Sequence, residues 1–519
     1  MNCRQYQSEL SCRAFFTTSQ ASDANKAWTM KAPMINTAQP MSPVLRAKKW
    51  FVLMGLLLTL PASGFGQTNP VPQGGEYALS GSLNGDQTAP RVAVGAGGGF
   101  FVFQDNGIDG NGLGIGARRL DSTFAPAGPV FRLNEKIIGD QEKPSVALTG
   151  SGGAVAVWQS GKPGFQDIVA RFINADGSFA TPDITVNITA KSYVTRYTTN
   201  WLVFRNNRPK YRSQRLKQTT KLKQERNGGP AVAVLNNGNA VAVYASGRQL
   251  HEKTPVLVHR VRFSRISNRF ITNSVVQYVE SDTDGFQDIY FQTFSAAGEK
   301  LGGEIRANQS IPFNQSHPAI AVLADGTFVI AWVSDRPNFV QPEQTTFDIF
   351  ARRFDSSGIP LGDEFVVNTV SRPCKDPAVA GHAEGGFTIT WAEKTVVRTN
   401  SIDIFARTFD GAGTPVAGAL RVNSHTYGDQ FAPAIVASAG AQVIVWTSLA
   451  QDGSREGVFG RALNNGALAG DEFRVNTTTH LRQLHPAIAG DGAGRFLVLW
   501  SSYQTMAGFD LYGQRYVTP

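Results

Sequence analysis

Short runs of about five to nine residues, apolar or alternating apolar and polar, recur along most of this chain and point to β-strands. Phe328–Trp332 (FVIAW), Phe387–Trp391 (FTITW) and Phe496–Trp500 (FLVLW) each end on a large aromatic. Turn residues bound them: DSSG, DGAG, NADG and SAAG clusters supply glycine where positive φ is needed. The pattern predicts an all-β protein of many short strands joined by tight turns.

Self-alignment reveals one dominant unit, clearest in Gln315–Thr369. Four strand-like stretches make it up. The first follows a proline (Pro90, Pro144, Pro230, Pro318, Pro377, Pro433, Pro486). The second ends on an aromatic (Phe103, Trp158, Tyr244, Tyr278, Trp332, Trp391, Trp446, Trp500). The third is of the DIFARRF type. The fourth is of the EFVVN type and closes on asparagine (Asn134, Asn187, Asn308, Asn368, Asn423, Asn476). Four strands in about 55 residues match one blade of a β-propeller. The aromatics are expected to form the core between stacked blades. The fold predicted is therefore an all-β propeller of about eight four-stranded blades, with seven as the alternative. Its last blade, ending at Val517, lacks a fourth strand. The stretch from Glu76 (EYALSGSLNGDQ) mimics one, so an N-terminal strand is expected to close the ring and hide its edges.

The register breaks once. Aromatic spacings of 54 to 59 residues give way to 86 and then 34 around Tyr244. Residues 191–228 and 248–275 are basic and foreign in composition. The stretch from Pro230 to Asn308 is thus either two damaged blades or one blade with an insertion. Three readings of the basic segments stay open: a functional arm for anionic polymers, an inert surface insertion, or a compensating pair of frameshifts.

Charge and composition refine this picture. The chain carries a net +9 over 519 residues. Residues 1–66, 191–228 and 248–275 together carry +20, so the remainder is acidic at −11. The basicity is therefore not a property of the repeats, and nucleic acid is disfavoured as a partner. Residues 46–66 (RAKKWFVLMGLLLTLPASGFG) have the tripartite layout of a secretory signal, too short to anchor in a bilayer. The expected organisation is a non-native or disordered extension (1–45), a signal peptide (46–66), a linker (67–75) and the propeller (76–519). Export to the periplasm, the cell surface or the medium follows. Cys374 is then the lone cysteine, so closure rests on packing and strand pairing rather than a disulfide.

Candidate chemistry is sparse. Ser281–Asp288 (SDTDGFQD) alternates aspartates around a glycine turn, and Asp282, Asp284 and Asp288 are candidate calcium ligands, against the plainer reading of a turn. No other cofactor is expected. His317 and His485 precede blade-opening prolines, so their placement follows the repeat and not a site. Gln87, Gln141, Gln315, Gln430 and Gln483 lie three residues before such prolines and are expected to satisfy backbone groups between blades. No catalytic residue can be assigned.

Gly-Asp-Gln-x-x-Pro, Gly-x-Phe-x-Ile-x-Trp, Asp-Ile-Phe-Ala-Arg-Arg-Phe-Asp and Glu-Phe-x-Val-Asn resemble a tandem repeat of large secreted bacterial surface proteins. Those proteins often carry hemolysin-type calcium repeats or adhesin domains. The resemblance implies export and, more weakly, calcium or adhesion, and it assigns no catalytic residue. The expected function is a monomeric, non-catalytic binding or scaffold module for a protein or glycan. The alternatives are a glycan hydrolase with carboxylates at the channel, and anionic-polymer binding through 191–228.

Overall fold

The computed structural model describes residues 69–81, 83–187, 192–205, 208–282, 286–310, 313–337, 345–395, 402–504 and 508–518. The extension, the signal region and Asp284 lie outside them.

Among the described residues, seven antiparallel four-stranded units stand in a ring. The first strands of the blades are Gln87–Gly95, Asp140–Leu148, the end of Arg208–Val234, Gln315–Val322, Cys374–Gly381, Gln430–Ser438 and Arg482–Gly490. Each packs against the next in cyclic order, and the last returns to the first. These strands surround the axis, and the second, third and fourth strands lie progressively outward. The protein is a seven-bladed β-propeller, the lower of the two counts that the repeat allows.

The second-strand aromatics explain the stacking. Phe103, Trp158, Tyr244, Trp332, Trp391, Trp446 and Trp500 are fully buried in clusters that join adjacent blades, as in the group of Trp332 with Phe291 and Leu235. Tyr278 breaks the series and is 47% exposed. It belongs to a hairpin, not to a blade. In blade 3 the first and second strands overrun the blade as Arg208–Val234 and Ala240–Ser264, flanked by Ser192–Arg205 and Arg269–Asp282. Pro230–Asn308 is therefore one blade carrying an inserted β-arm.

Three side-chain devices repeat around the ring. The asparagine that ends the fourth strand turns its Oδ1 toward the third-strand backbone: Ile115, Ile168, Ile289, Ile349, Ile404 and Val458 donate to it at 2.7–2.9 Å. Its Nδ2 donates to an aspartate, as from Asn368 to Asp348 at 2.8 Å. The first arginine of the third strand holds the preceding blade: Arg118, Arg171, Arg352, Arg407 and Arg461 donate to the carbonyls of Leu79, Leu133, Ala307, Val367 and Val422. In blade 3 that position is Gln292, and Lys300 of the same blade reaches the carbonyl of Val186 at 2.9 Å instead. A fourth-strand carboxylate secures the loop of the preceding blade, Glu364 on Gln309 and Ser310, Glu472 on Ser424 and His425.

The N-terminal strand Val71–Ala78 pairs with the last strand Asp510–Val517 and closes the ring as expected, although it starts within the stretch 67–75 read as a linker, because Val71–Gln73 already pair with Arg515–Val517. It imports the same devices. Glu76 accepts from Thr477 and Thr478, and the Ser80 hydroxyl accepts from the backbone of Leu511 at 3.2 Å, where other blades use asparagine.

Candidate functional site: the axial mouth

Each first strand carries a β-bulge at its proline. Ser316 pairs with Val333 and Ala319 with Ala331, so His317 and Pro318 together face Trp332. The same two-against-one arrangement faces Phe103, Trp158, Tyr244, Trp391, Trp446 and Trp500. Proline suits the place because it has no N–H to leave orphaned where the ladder breaks.

The residue before each proline adopts positive φ. The seven are Ala89 (49°), Lys143 (53°), Gly229 (57°), His317 (52°), Asp376 (53°), Ala432 (51°) and His485 (56°). For a non-glycine residue this conformation costs roughly 1–2 kcal/mol, and here six such residues stand at one level of one ring. A Cβ at Gly229 would lie 3.8 Å from the His317 Cα, so these two neighbouring bulges are in contact.

Charges converge at this level from four of the seven blades. Arg91 (blade 1), Lys143 (blade 2), His317 (blade 4) and Lys375 (blade 5) are all exposed, yet protein surrounds them. Burial pulls the Arg91 guanidinium below its ordinary value, with Asp376 of blade 5 opposing. Burial also holds the His317 imidazole below its ordinary pKa; Asp376 opposes this, and Lys143 and Lys375 reinforce it. Arg91 and Asp376 sense one another across the axis, as do Lys143 and His317. Lys375 lies 3.9 Å from the Asp376 carboxylate, and its Nζ is 5.8 Å from the Phe431 ring centre. Phe431 meets the His485 ring edge-on at 6.5 Å.

The bulges sit at the end of the channel where the 4–1 and 2–3 connections emerge. The β-arm grows from two of those connections, so it rises from the same face.

His317 and His485, read from the sequence as followers of the repeat, do follow it, and the repeat brings them to the axis. Missed altogether were Lys143, Asp376 and Arg91. The signal lay in the residues flanking each proline, where charged side chains stand in some repeats and alanine in others.

Of the calcium candidates, Asp282 ends a strand of the arm and Asp284 lies outside the described residues. Asp288 starts a third strand as one of the repeating aspartates. Its Oδ1 accepts from Asn308 at 2.7 Å, and its Oδ2 lies 3.8 Å from Arg306. Among the described residues no three His, Cys, Asp or Glu side chains gather as a metal site. The glutamines behave as expected: Gln141 accepts from Asn134 at 2.9 Å and donates to the Gly139 carbonyl at 2.9 Å.

No family model matches this chain, and no curated protein matches it. Solved structures that superpose on it include a protein of unknown function from Dyadobacter fermentans (9% identity, 87% of this chain, 99% of that one, TM-score 0.42). An α-L-arabinanase from Penicillium chrysogenum superposes similarly (11%, 87% and 99%, TM-score 0.43). So does the β-propeller domain of the trilobed protease from Pyrococcus furiosus (10%, 85% and 97%, TM-score 0.41). Superpositions this loose carry no argument about a ligand or a reaction.

Proposed function

We propose that this protein is an exported, non-catalytic binding propeller that holds a protein or glycan partner at its axial mouth. One observation carries the reading. Seven bulges share one backbone conformation but present unlike side chains, and Ala89, Ala432 and Gly229 fill the structural role without polar groups. Lys143, His317, Asp376 and His485 are therefore more than the fold requires, and strained residues of this kind cluster where ligands are held. The loops around the mouth supply further contact surface. A glycosidase would need two carboxylates on either side of the scissile bond. Asp376, the acidic member of the bulge ring, is instead paired with Lys375. Export, and kinship with the repeats of bacterial surface proteins, belong to the same proposal and rest on residues 46–66 and on the repeat motifs.

The test is a glycan array and an affinity capture from the medium, each run with the native chain and with the triple variant Lys143→Ala, His317→Ala, Asp376→Ala. The partner is expected to bind the native chain and to lose at least tenfold in affinity with the variant, at a similar melting temperature. Equal binding by both proteins overturns the reading.

A further inference from the structure

We infer that the axial mouth is an oxyanion site, in which Arg91 and Lys143 receive a carboxylate, sulfate or phosphate group of the ligand. The inference rests on the mouth being the binding face and adds the chemistry of what binds there.

Arg91 follows the proline of blade 1. The equivalent residue is Ser145 in blade 2 and alanine in the other five (Ala231, Ala319, Ala378, Ala434, Ala487). A guanidinium at a position built for a methyl group is a departure that packing does not explain. Only its Nη1 is engaged among the described residues, by the carbonyl of Pro90 at 2.8 Å. The rest of its donor fork is free to meet a planar anion. Lys143 is held by its backbone, whose N–H donates to Gln104 of blade 1 at 2.6 Å. Its ammonium has no hydrogen-bond or ion-pair partner among the described residues.

The remaining charges do not cancel this pair. Asp376, the one acidic member of the bulge ring, lies 3.9 Å from Lys375. His317 engages Ser316 through Nδ1 at 3.1 Å, and its depressed pKa leaves it uncharged at neutral pH. Arg91, Lys143 and Lys375 against Asp376 leave an excess of two positive charges at this level of the ring, to which an anion is attracted. The Phe431 ring, half-buried beside Lys375, offers an apolar face next to the charges. That combination fits an acidic sugar or another small ring bearing an oxyanion.

The anion could arrive as a free small molecule or as the acidic group of a polymer. Exposed Lys210, Arg212 and Arg215 on the arm extend the positive surface on the same face. Calorimetric titration at low ionic strength with sodium sulfate, glucuronate and a galacturonate oligomer separates these sources. A free anion predicts similar affinity for glucuronate and the oligomer; a polymer predicts an oligomer at least tenfold tighter. Either way binding is saturable and falls at least tenfold in Arg91→Ala and in Lys143→Gln. Arg91→Lys, which keeps charge and bulk should Arg91→Ala misfold, is expected to retain sulfate and lose preference for the planar carboxylate. Absence of saturable binding to all three probes overturns the inference, as does binding that both variants leave intact. If a neutral glycan still binds the native chain and fails with the triple variant, the mouth remains the binding face and only its anion chemistry falls.

Discussion

Lys143 and Ala432 occupy the same backbone conformation with unlike side chains, and the contrast separates what the bulge requires from what the proposed binding function adds. At Ala432 the positive φ of 51° serves only the bulge opposite Trp446. Glycine relieves the crowding of Cβ but adds freedom to the unfolded chain, so the two effects partly offset. Ala432→Gly is expected to raise stability by up to about 1 kcal/mol, and Ala432→Val to lower it, with thermal or urea denaturation as the measurement. A fall in stability on the glycine change would show that the bulges are not strained. The titration of His317 is a second residue-scale matter. Its folded pKa lies below its unfolded value, so the folded state gives up protons more readily. Its stabilisation is present above the unfolded value and is lost as pH falls through the window down to the folded pKa. His317→Gln should flatten melting temperature between neutral and mildly acid pH. The prolines marking these bulges were plain in the sequence. The function of the residues beside them was not, because a linear repeat shows which positions vary and not that seven of them meet on one axis.

Individual strands are held less by propensity than by repeated polar clamps. Asn368 illustrates the point, accepting from Ile349 N–H at 2.8 Å and donating to Asp348 and to the carbonyl of Val370. Asn368→Ala strands a buried donor and should cost about 1–3 kcal/mol. Blade 7 performs the same task with Ser80, so Asn368→Ser is expected to recover part of the loss. Equal loss in both variants would show that the amide acts through Asp348 and not through the Ile349 backbone. The strand-ending asparagine, the opening glutamine and the third-strand arginine were all visible as repeated letters. Only the glutamine had a mechanism attached from sequence, since the arginine's target is a carbonyl about forty residues earlier in the chain, in another blade. Blade 5 shows how such contacts compensate. Cys374 stands in the place of glutamine, and Glu393 accepts from Trp391 Nε1 at 3.0 Å, whereas in blade 4 Gln315 accepts from Trp332 at 3.0 Å. The Cys374 thiol is buried and its pKa is pushed up by desolvation and by Glu393, so it resists ionisation.

At the scale of the whole molecule the ring depends on a strand from the far end of the chain. Spacing counts left seven or eight blades open because the arm preserves a near-multiple of the repeat length. Burial decides it, with Tyr244 inside and Tyr278 outside. Closure by the N-terminal strand was legible because Glu76-Tyr77 reproduces the Glu-Phe of the fourth-strand motif. The side chains honour the likeness: Glu76 binds the Thr477 and Thr478 backbone, and Tyr77 donates to the Phe124 carbonyl at 2.6 Å. Burial raises the Glu76 pKa, but the hydrogen bonds from Thr478 and Thr477 outweigh it and leave the carboxyl below its ordinary value. A depressed carboxyl stabilises the fold above its unfolded pKa, and that contribution vanishes as pH falls through the folded one. Closure should therefore loosen in acid before the blades do. Val71–Ala78 and Asp510–Val517 are expected to lose hydrogen-exchange protection, relative to the intrinsic amide rate at each pH, as pH falls below the ordinary carboxylate range, while the central strands of blades 2 and 4 stay protected. Glu76→Gln should show the reduced protection already at neutral pH and no further loss in acid. Uniform exchange across all seven blades at every pH would mean that the ring opens as one unit, and that the strand contributed by residues 71–78 is no weaker than the rest.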